Sequence, residues 1–156
     1  MINKEIEIII EKYTKERIDD VIQFELDLRK EENFWGWEIN DEYIQSVKDS
    51  FENEAFNHSI SLLAYVDNKV VGRIDSSMIY SHFDGSTKAY LDWICVIKSY
   101  RHYGVAQSLM KELRKQLKSE GVDTLVALIA SNEEAQRFYR SLENAEIRDE
   151  GIWVDL

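Results

Sequence analysis

Residues 89–110 read AYLDWICVIKSYRHYGVAQSLM, and two periodicities meet inside them. From Ala89 to Ile97 the run is apolar and aromatic apart from Asp92, which predicts a long strand. From about Gly104 onward, Ala106, Leu109, Leu113 and Leu117 recur on one helical stripe, with Lys111, Arg114, Lys115 and Lys118 outside it. A strand that passes through a tight polar turn into a helix leaves several backbone N–H groups pointing outward at the positive end of the helix dipole. Gly104 stands at the join, where the missing β-carbon lets an anion approach the backbone. Arg101 can add a charge-assisted hydrogen bond. The join is therefore a candidate phosphate site. It is not the three-glycine dinucleotide fingerprint, nor the nucleoside-triphosphate loop with its glycine-lysine-serine/threonine ending.

Upstream, EIEIII at residues 5–10 alternates acidic and apolar side chains and predicts a first strand. Ile18, Val21, Ile22 and Leu26 follow Thr14 at helical spacing, and Tyr43, Ile44, Val47 and Phe51 follow Asn40 and Asp41, so two helices are expected with N-caps at those polar residues. SLLAYVDNKVVGRIDSSMIY, residues 61–80, predicts two strands turning at Asp67-Asn68. Downstream, Gly121 is placed to close the long helix, and TLVALIA, residues 124–130, predicts a buried strand. Ser131 and Glu134 have the spacing of a capping box for a further helix, and the tail from Ala145 to Leu156 ends in strand-like alternation. This interleaving predicts an α/β fold, a single domain over residues 1–156 whose mixed sheet carries helices on both faces.

The formal net charge of −11, from 30 acidic and 19 basic residues, disfavours nucleic acid and anionic membranes as partners and favours cationic small molecules. One cysteine, Cys95, allows no internal disulfide and no cysteine-based zinc cluster. His58, His82 and His102 lack metal-ligand spacing, so no metal is expected. With no leader-like segment and no apolar run of roughly 20 residues, the expectation is a soluble, cytoplasmic protein.

Arg101-His102-Tyr103-Gly104-Val105-Ala106 resembles the Arg/Gln-x-x-Gly-x-Gly/Ala signature of the GNAT superfamily of acyl-CoA-dependent N-acetyltransferases. The context agrees, because Asn132, Ala135 and Tyr139 stand at the spacing of that family's Asn-x-x-Ala-x-x-x-Tyr pattern, on the helix after the next strand. Glu143 and Asn144 depart from the Gly-Phe found there in many members. The resemblance implies a mostly antiparallel sheet, with acetyl-CoA as co-substrate. It implies that Arg101 and the backbone of His102, Tyr103, Gly104, Val105 and Ala106 cradle the pyrophosphate of coenzyme A. The strand backbone at Cys95 and Val96 would meet the pantetheine arm, and Asn132, Ala135 and Tyr139 would border the donor. Tyr139 is expected to act as general acid towards the departing thiolate, protonated at neutral pH because its unperturbed pKa is near 10.

Asp92 is anomalous in mid-strand, where carboxylates are depleted and a buried charge is costly. It is a candidate general base, directly or through water; the alternative is a structural carboxylate satisfied by backbone donors or Arg73. Cys95 is either a small core residue or a nucleophile for a covalent acetyl-enzyme, whereas the family resemblance implies direct transfer. The segment between the first two helices carries Glu31, Glu32, Phe34, Trp35, Trp37 and Glu38, suited to a cationic amine through carboxylate pairing and cation–π contact. Those residues could equally cover a sheet edge. Candidate acceptors are polyamines, aminoglycoside-like amines, small amino compounds and protein N-termini or lysines. A non-catalytic acyl-CoA sensor or partner-binding module is the other class, and a homodimer is compatible with either.

Overall fold

The computed structural model describes residues 5–33 and 36–156. Five strands form one sheet in chain order. β1 (Ile9–Lys12), β2 (Ile60–Val66), β3 (Lys69–Tyr80) and β4 (Thr87–Val96) are successively antiparallel, and β5 (Leu125–Ala127) runs parallel to β4. The helices are α1 (Ile18–Glu31), α2 (Asp41–Glu52), α3 (Val105–Ser119) and α4 (Glu133–Arg140).

Each face of the sheet is closed by the apolar stripe of one long helix. Val21, Phe24 and Leu28 of α1 bury against Leu63, Val70 and Ile97, while Leu109, Leu113 and Leu117 of α3 bury against Leu62, Ile74 and Val96 on the other side. Val47 and Phe51 extend the first cluster from α2, and Phe138 and Tyr139 extend the second from α4. Local signals set the boundaries. Asp67 and Asn68 take φ of +49° and +62°, the left-handed pair that a two-residue hairpin demands. The Asn40 side chain accepts from the N–H of Tyr43 at 2.9 Å and starts α2. Gly121, at φ +77°, ends α3, and Val122 N–H returns to the Leu117 carbonyl.

The structure departs from the sequence reading at four places. β1 begins at Ile9 rather than Glu5, and a 3-10 turn over Lys15–Arg17 intervenes before α1, so Thr14 caps that turn without a side-chain bond. α4 is capped by Asn132, whose side chain accepts from the Ala135 N–H at 2.9 Å; Ser131 lies one residue too early. β5 has three residues, and Val126 and Leu128 stay exposed because β5 pairs only with β4. Residues 141–156 contain no strand, and Ile152, Trp153 and Val154 are exposed. Alternation supplies a face, but a strand also needs an edge to pair with.

Two features position the site. In β4, Trp93 pairs with Asp75 and Leu91 with Ser76, so Asp92 is the extra residue of a β-bulge. β5 pairs with β4 only from Ala89 to Leu91, leaving the edge beyond the bulge without a neighbouring strand among the described residues. On β3, Gly72 lets the first turn of α3 sit directly on the sheet: a β-carbon there would lie 2.9 Å from Val105 Cγ1 and 3.3 Å from the Cys95 carbonyl oxygen. Val105 is β-branched and buried, so it yields poorly. Gly72→Ala is expected to destabilise the protein by about 1–3 kcal/mol, read as a drop in thermal midpoint of at least about 2 °C.

Candidate active site

The join between β4 and α3 is built from backbone. A 3-10 turn spans Lys98–Tyr100, and α3 begins at Val105 with Gly104 as its N-cap residue. Gly104 has φ +83°, and a β-carbon there would meet nothing within 4 Å, so the space above the loop is open. His102 is also left-handed, at φ +67°. No described group accepts from the N–H groups of His102, Tyr103 or Gly104, and the first N–H groups of α3 have no acceptor within the helix. Val105 is buried in the α3-side core and fixes the helix start, while Ala106 beside it is small and half-buried. Successive outward N–H groups at a helix N-terminus suit a phosphate.

Arg101 is engaged otherwise than the sequence suggests. Its Nε donates to the Val96 carbonyl at 3.0 Å, and its Nη1 and Nη2 form a fork on Glu32 at 2.9 and 2.5 Å. Nη1 also reaches Glu134 at 3.1 Å, and the second oxygen of Glu134 lies 3.3 Å from His102 Nε2. The Val96 carbonyl, expected to meet the donor's arm, accepts from Arg101 with one of its two lone pairs. Cys95 is buried on the α1 side, where burial pushes its thiol up to about 12. It is a core residue without thiolate character at neutral pH.

Tyr139 is half-buried on α4, with Phe138 edge-on to its ring at 5.3 Å. Burial, and then the neighbouring Tyr90, hold its hydroxyl above the usual tyrosine value, so it stays protonated at neutral pH. Asn132 spends its side chain on the α4 cap, and Ala135 supplies the N–H it accepts.

Asp92 is exposed, not buried. The bulge carries it out of the ladder's alternation, and its carboxylate accepts the Ser77 hydroxyl from β3 rather than pairing with Arg73. Surrounding protein raises its carboxyl above the ordinary range, the Ser77 bond acts the other way, and Asp75 adds to the rise. Arg73 instead donates to Asp75 at 2.7 and 3.0 Å and to buried Glu25 at 3.0 Å, and Arg29 closes on Glu25 at 2.6 Å. These two acids and two bases cancel, so Asp92 is a carboxylate beside them with no cationic partner among the described residues.

The wall segment is partly reassigned. Trp37 meets this cluster, edge-on to Trp93 at 5.5 Å and beneath the Arg29 guanidinium at 5.2 Å. A cavity of about 320 Å³ opens here between Leu26, Arg29, Glu32, Trp37 and Glu38. Glu31 points elsewhere, accepting from the N–H and hydroxyl of Ser99 at 2.8 and 2.7 Å, which holds it below the ordinary carboxylate range. Phe34 and Trp35 lie outside the described residues. Among the described residues, no cluster of His, Cys, Asp and Glu could hold a metal ion.

The sequence profile of the Acetyltransferase (GNAT) family matches residues 5–143. The chain belongs to this family. As a GNAT acetyltransferase it takes acetyl-CoA as its acyl donor. None of the curated proteins matches the sequence. Among solved structures, an aminoglycoside acetyltransferase from an uncultured soil metagenomic sample superposes with a TM-score of 0.80 at 18% identity, covering 100% of this chain and 99% of its own. The aminoglycoside acetyltransferase AAC(6')-Iy, in complex with a bisubstrate analog, gives 0.74 at 17% identity and coverages of 96% and 98%. Ribosomal-protein-alanine N-acetyltransferase from Brucella melitensis gives 0.72 at 16%, with 96% and 99%. The fold is common to all three.

The described residues thus present N–H groups without acceptors beside the open space at Gly104, and a β4 edge left without a neighbouring strand beyond the bulge. Sequence reasoning missed Ser77, Glu25, Asp75 and Tyr90. Ser77 and Asp75 share the β3 face with Arg73 by simple alternation, a legible signal; that Ser77 would meet Asp92 depends on the bulge, which the residues alone do not announce. Among the described residues, no helix is long and apolar enough to cross a membrane.

Proposed function

We propose that the protein transfers acetyl from acetyl-CoA directly to a primary amine of a cationic small molecule. The observation that carries this reading is Asp92, an uncompensated carboxylate on the β4 bulge, on the face that also bears Trp93 and the Trp37 wall. An ammonium group pairs with Asp92 on entry. Once the amine's proton passes to that carboxylate, directly or through water, the nitrogen lone pair attacks the thioester carbonyl. As the C–S bond breaks, the Tyr139 hydroxyl supplies a proton to the leaving sulfur, and the surplus proton on the newly acylated nitrogen is lost, directly or through water, to the tyrosinate, which restores the tyrosine. Gly104 and its N–H neighbours hold the pyrophosphate, so that remote binding energy orients the thioester. A buried, protonated Cys95 supports direct transfer over a covalent acetyl-enzyme.

Polyamines and aminoglycosides are the acceptors we favour. The net charge of −11 attracts them, and several structural neighbours are aminoglycoside acetyltransferases. The test is thiol release from acetyl-CoA against polyamines, aminoglycosides, amino acids and short peptides, beside calorimetric acetyl-CoA binding. Release with the polycations is expected. Release only with peptides would replace the small-molecule acceptor by a protein terminus, and binding without release on any amine would favour a sensor.

A further inference from the structure

Arg101 heads the signature, yet all but one of its N–H groups already have acceptors: the Val96 carbonyl, both oxygens of Glu32 and one oxygen of Glu134. These acceptors come from three elements. Val96 ends β4, Glu32 is the first residue after α1, and Glu134 lies in the first turn of α4, the helix that carries Tyr139. Glu32 also leads directly into the segment that bears Trp37, and it lines the cavity there. The pair is sheltered, with the Arg101 side chain 20% and the Glu32 side chain 15% exposed. A bidentate fork of this kind fixes orientation as well as charge.

We propose that Arg101 is a positioning residue, which ties the wall after α1 and the start of α4 to the phosphate loop through Glu32 and Glu134, rather than a direct ligand of the donor's phosphates. This rests on the acetyl-CoA reading of the loop. Donor binding then reaches the acceptor wall through a side chain that touches neither substrate.

Glu32→Gln separates the two roles by sign. If Arg101 bound phosphate, Glu32 would be a competing anion, and removing its charge would free the guanidinium and tighten donor binding. If Arg101 positions the loop, the same change loosens the fork and weakens binding. Calorimetric titration with coenzyme A is expected to show at least about a fivefold rise in Kd for Glu32→Gln, the lower end of ordinary coupling between sites. Arg101→Lys keeps the charge that a phosphate would need but loses the fork, and it is expected to bind no better than Glu32→Gln. Hydrogen exchange gives a reading that a merely structural residue would leave alone. Coenzyme A should slow exchange over residues 36–41 in the wild type and not in a folded Glu32→Gln protein. Equal or tighter binding by Glu32→Gln, wild-type affinity in Arg101→Lys, or protection at residues 36–41 retained in Glu32→Gln would each overturn the proposal. A wild-type protein that binds no coenzyme A would remove the donor reading itself, and this inference with it.

Discussion

Gly104→Glu is expected to abolish measurable coenzyme A binding, with a loss of about a hundredfold or more. Two independent effects act at one atom. At φ +83° any side chain imposes left-handed strain, costing about 1–2 kcal/mol. The open space above Gly104, where a β-carbon meets nothing, is also where the added carboxylate must go. It would stand at the N–H cradle and face the pyrophosphate as a like charge, and such juxtapositions cost several kcal/mol. Gly104→Ala carries the strain without the charge, so it should lower the thermal midpoint by a similar few degrees while retaining most of the affinity. Calorimetry of both variants, with thermal scans to show that each is folded, separates the contributions. Undiminished affinity in folded Gly104→Glu would place the phosphates elsewhere.

The parts of this fold that were legible in the sequence are those that local chemistry decides. The Asp67-Asn68 hairpin, the Asn40 cap, the Gly121 stop and the helical stripe from Ala106 to Leu117 each follow from a preference of the backbone or of one helix face, and each is found in place. What remained illegible depends on which element lies beside which. The tail alternates like a strand, yet no described strand pairs with it. Ser131 satisfies a capping pattern that Asn132 satisfies one residue later with a better-placed acceptor.

The site divides along the same line. The strand-to-helix join at Gly104 was readable because it is backbone geometry at one turn. Side-chain charges were not, because a carboxylate's role is set by its partner across the sheet. Glu31 and Glu32 read as an acidic wall and are instead held by Ser99 and Arg101. Asp92 read as buried and is exposed, because one extra residue in β4 turns it out of the ladder. On the proposed acceptor face Glu25, Asp75, Glu31 and Glu32 are all partnered, which concentrates the proposed demand for a cation on Asp92.

That concentration makes Asp92→Asn the most informative change at the acceptor. The asparagine keeps the shape and can still accept from Ser77, but it neither attracts an ammonium group nor takes its proton. Turnover with a cationic amine is expected to fall about a hundredfold or more, the usual contribution of a positioned base, while the Kd for coenzyme A stays unchanged. The pH profile carries the sign. The loss of water to the surrounding protein and Asp75 raise the Asp92 carboxyl while Ser77 lowers it, and a base works only when ionised. The rate should therefore fall on the acid side at a pH above the ordinary carboxylate value. Ser77→Ala removes a stabilising donor to the ionised form and should move that limb to higher pH; Asp75→Asn removes a repulsion and should move it lower. Tyr139→Phe should reduce turnover without shifting the acid limb, because burial and Tyr90 hold that hydroxyl protonated throughout the neutral range. If the Asp92→Asn profile kept both its height and its acid limb, the proton would have to leave by another route, and the bulge would serve only to open the β4 edge to the donor.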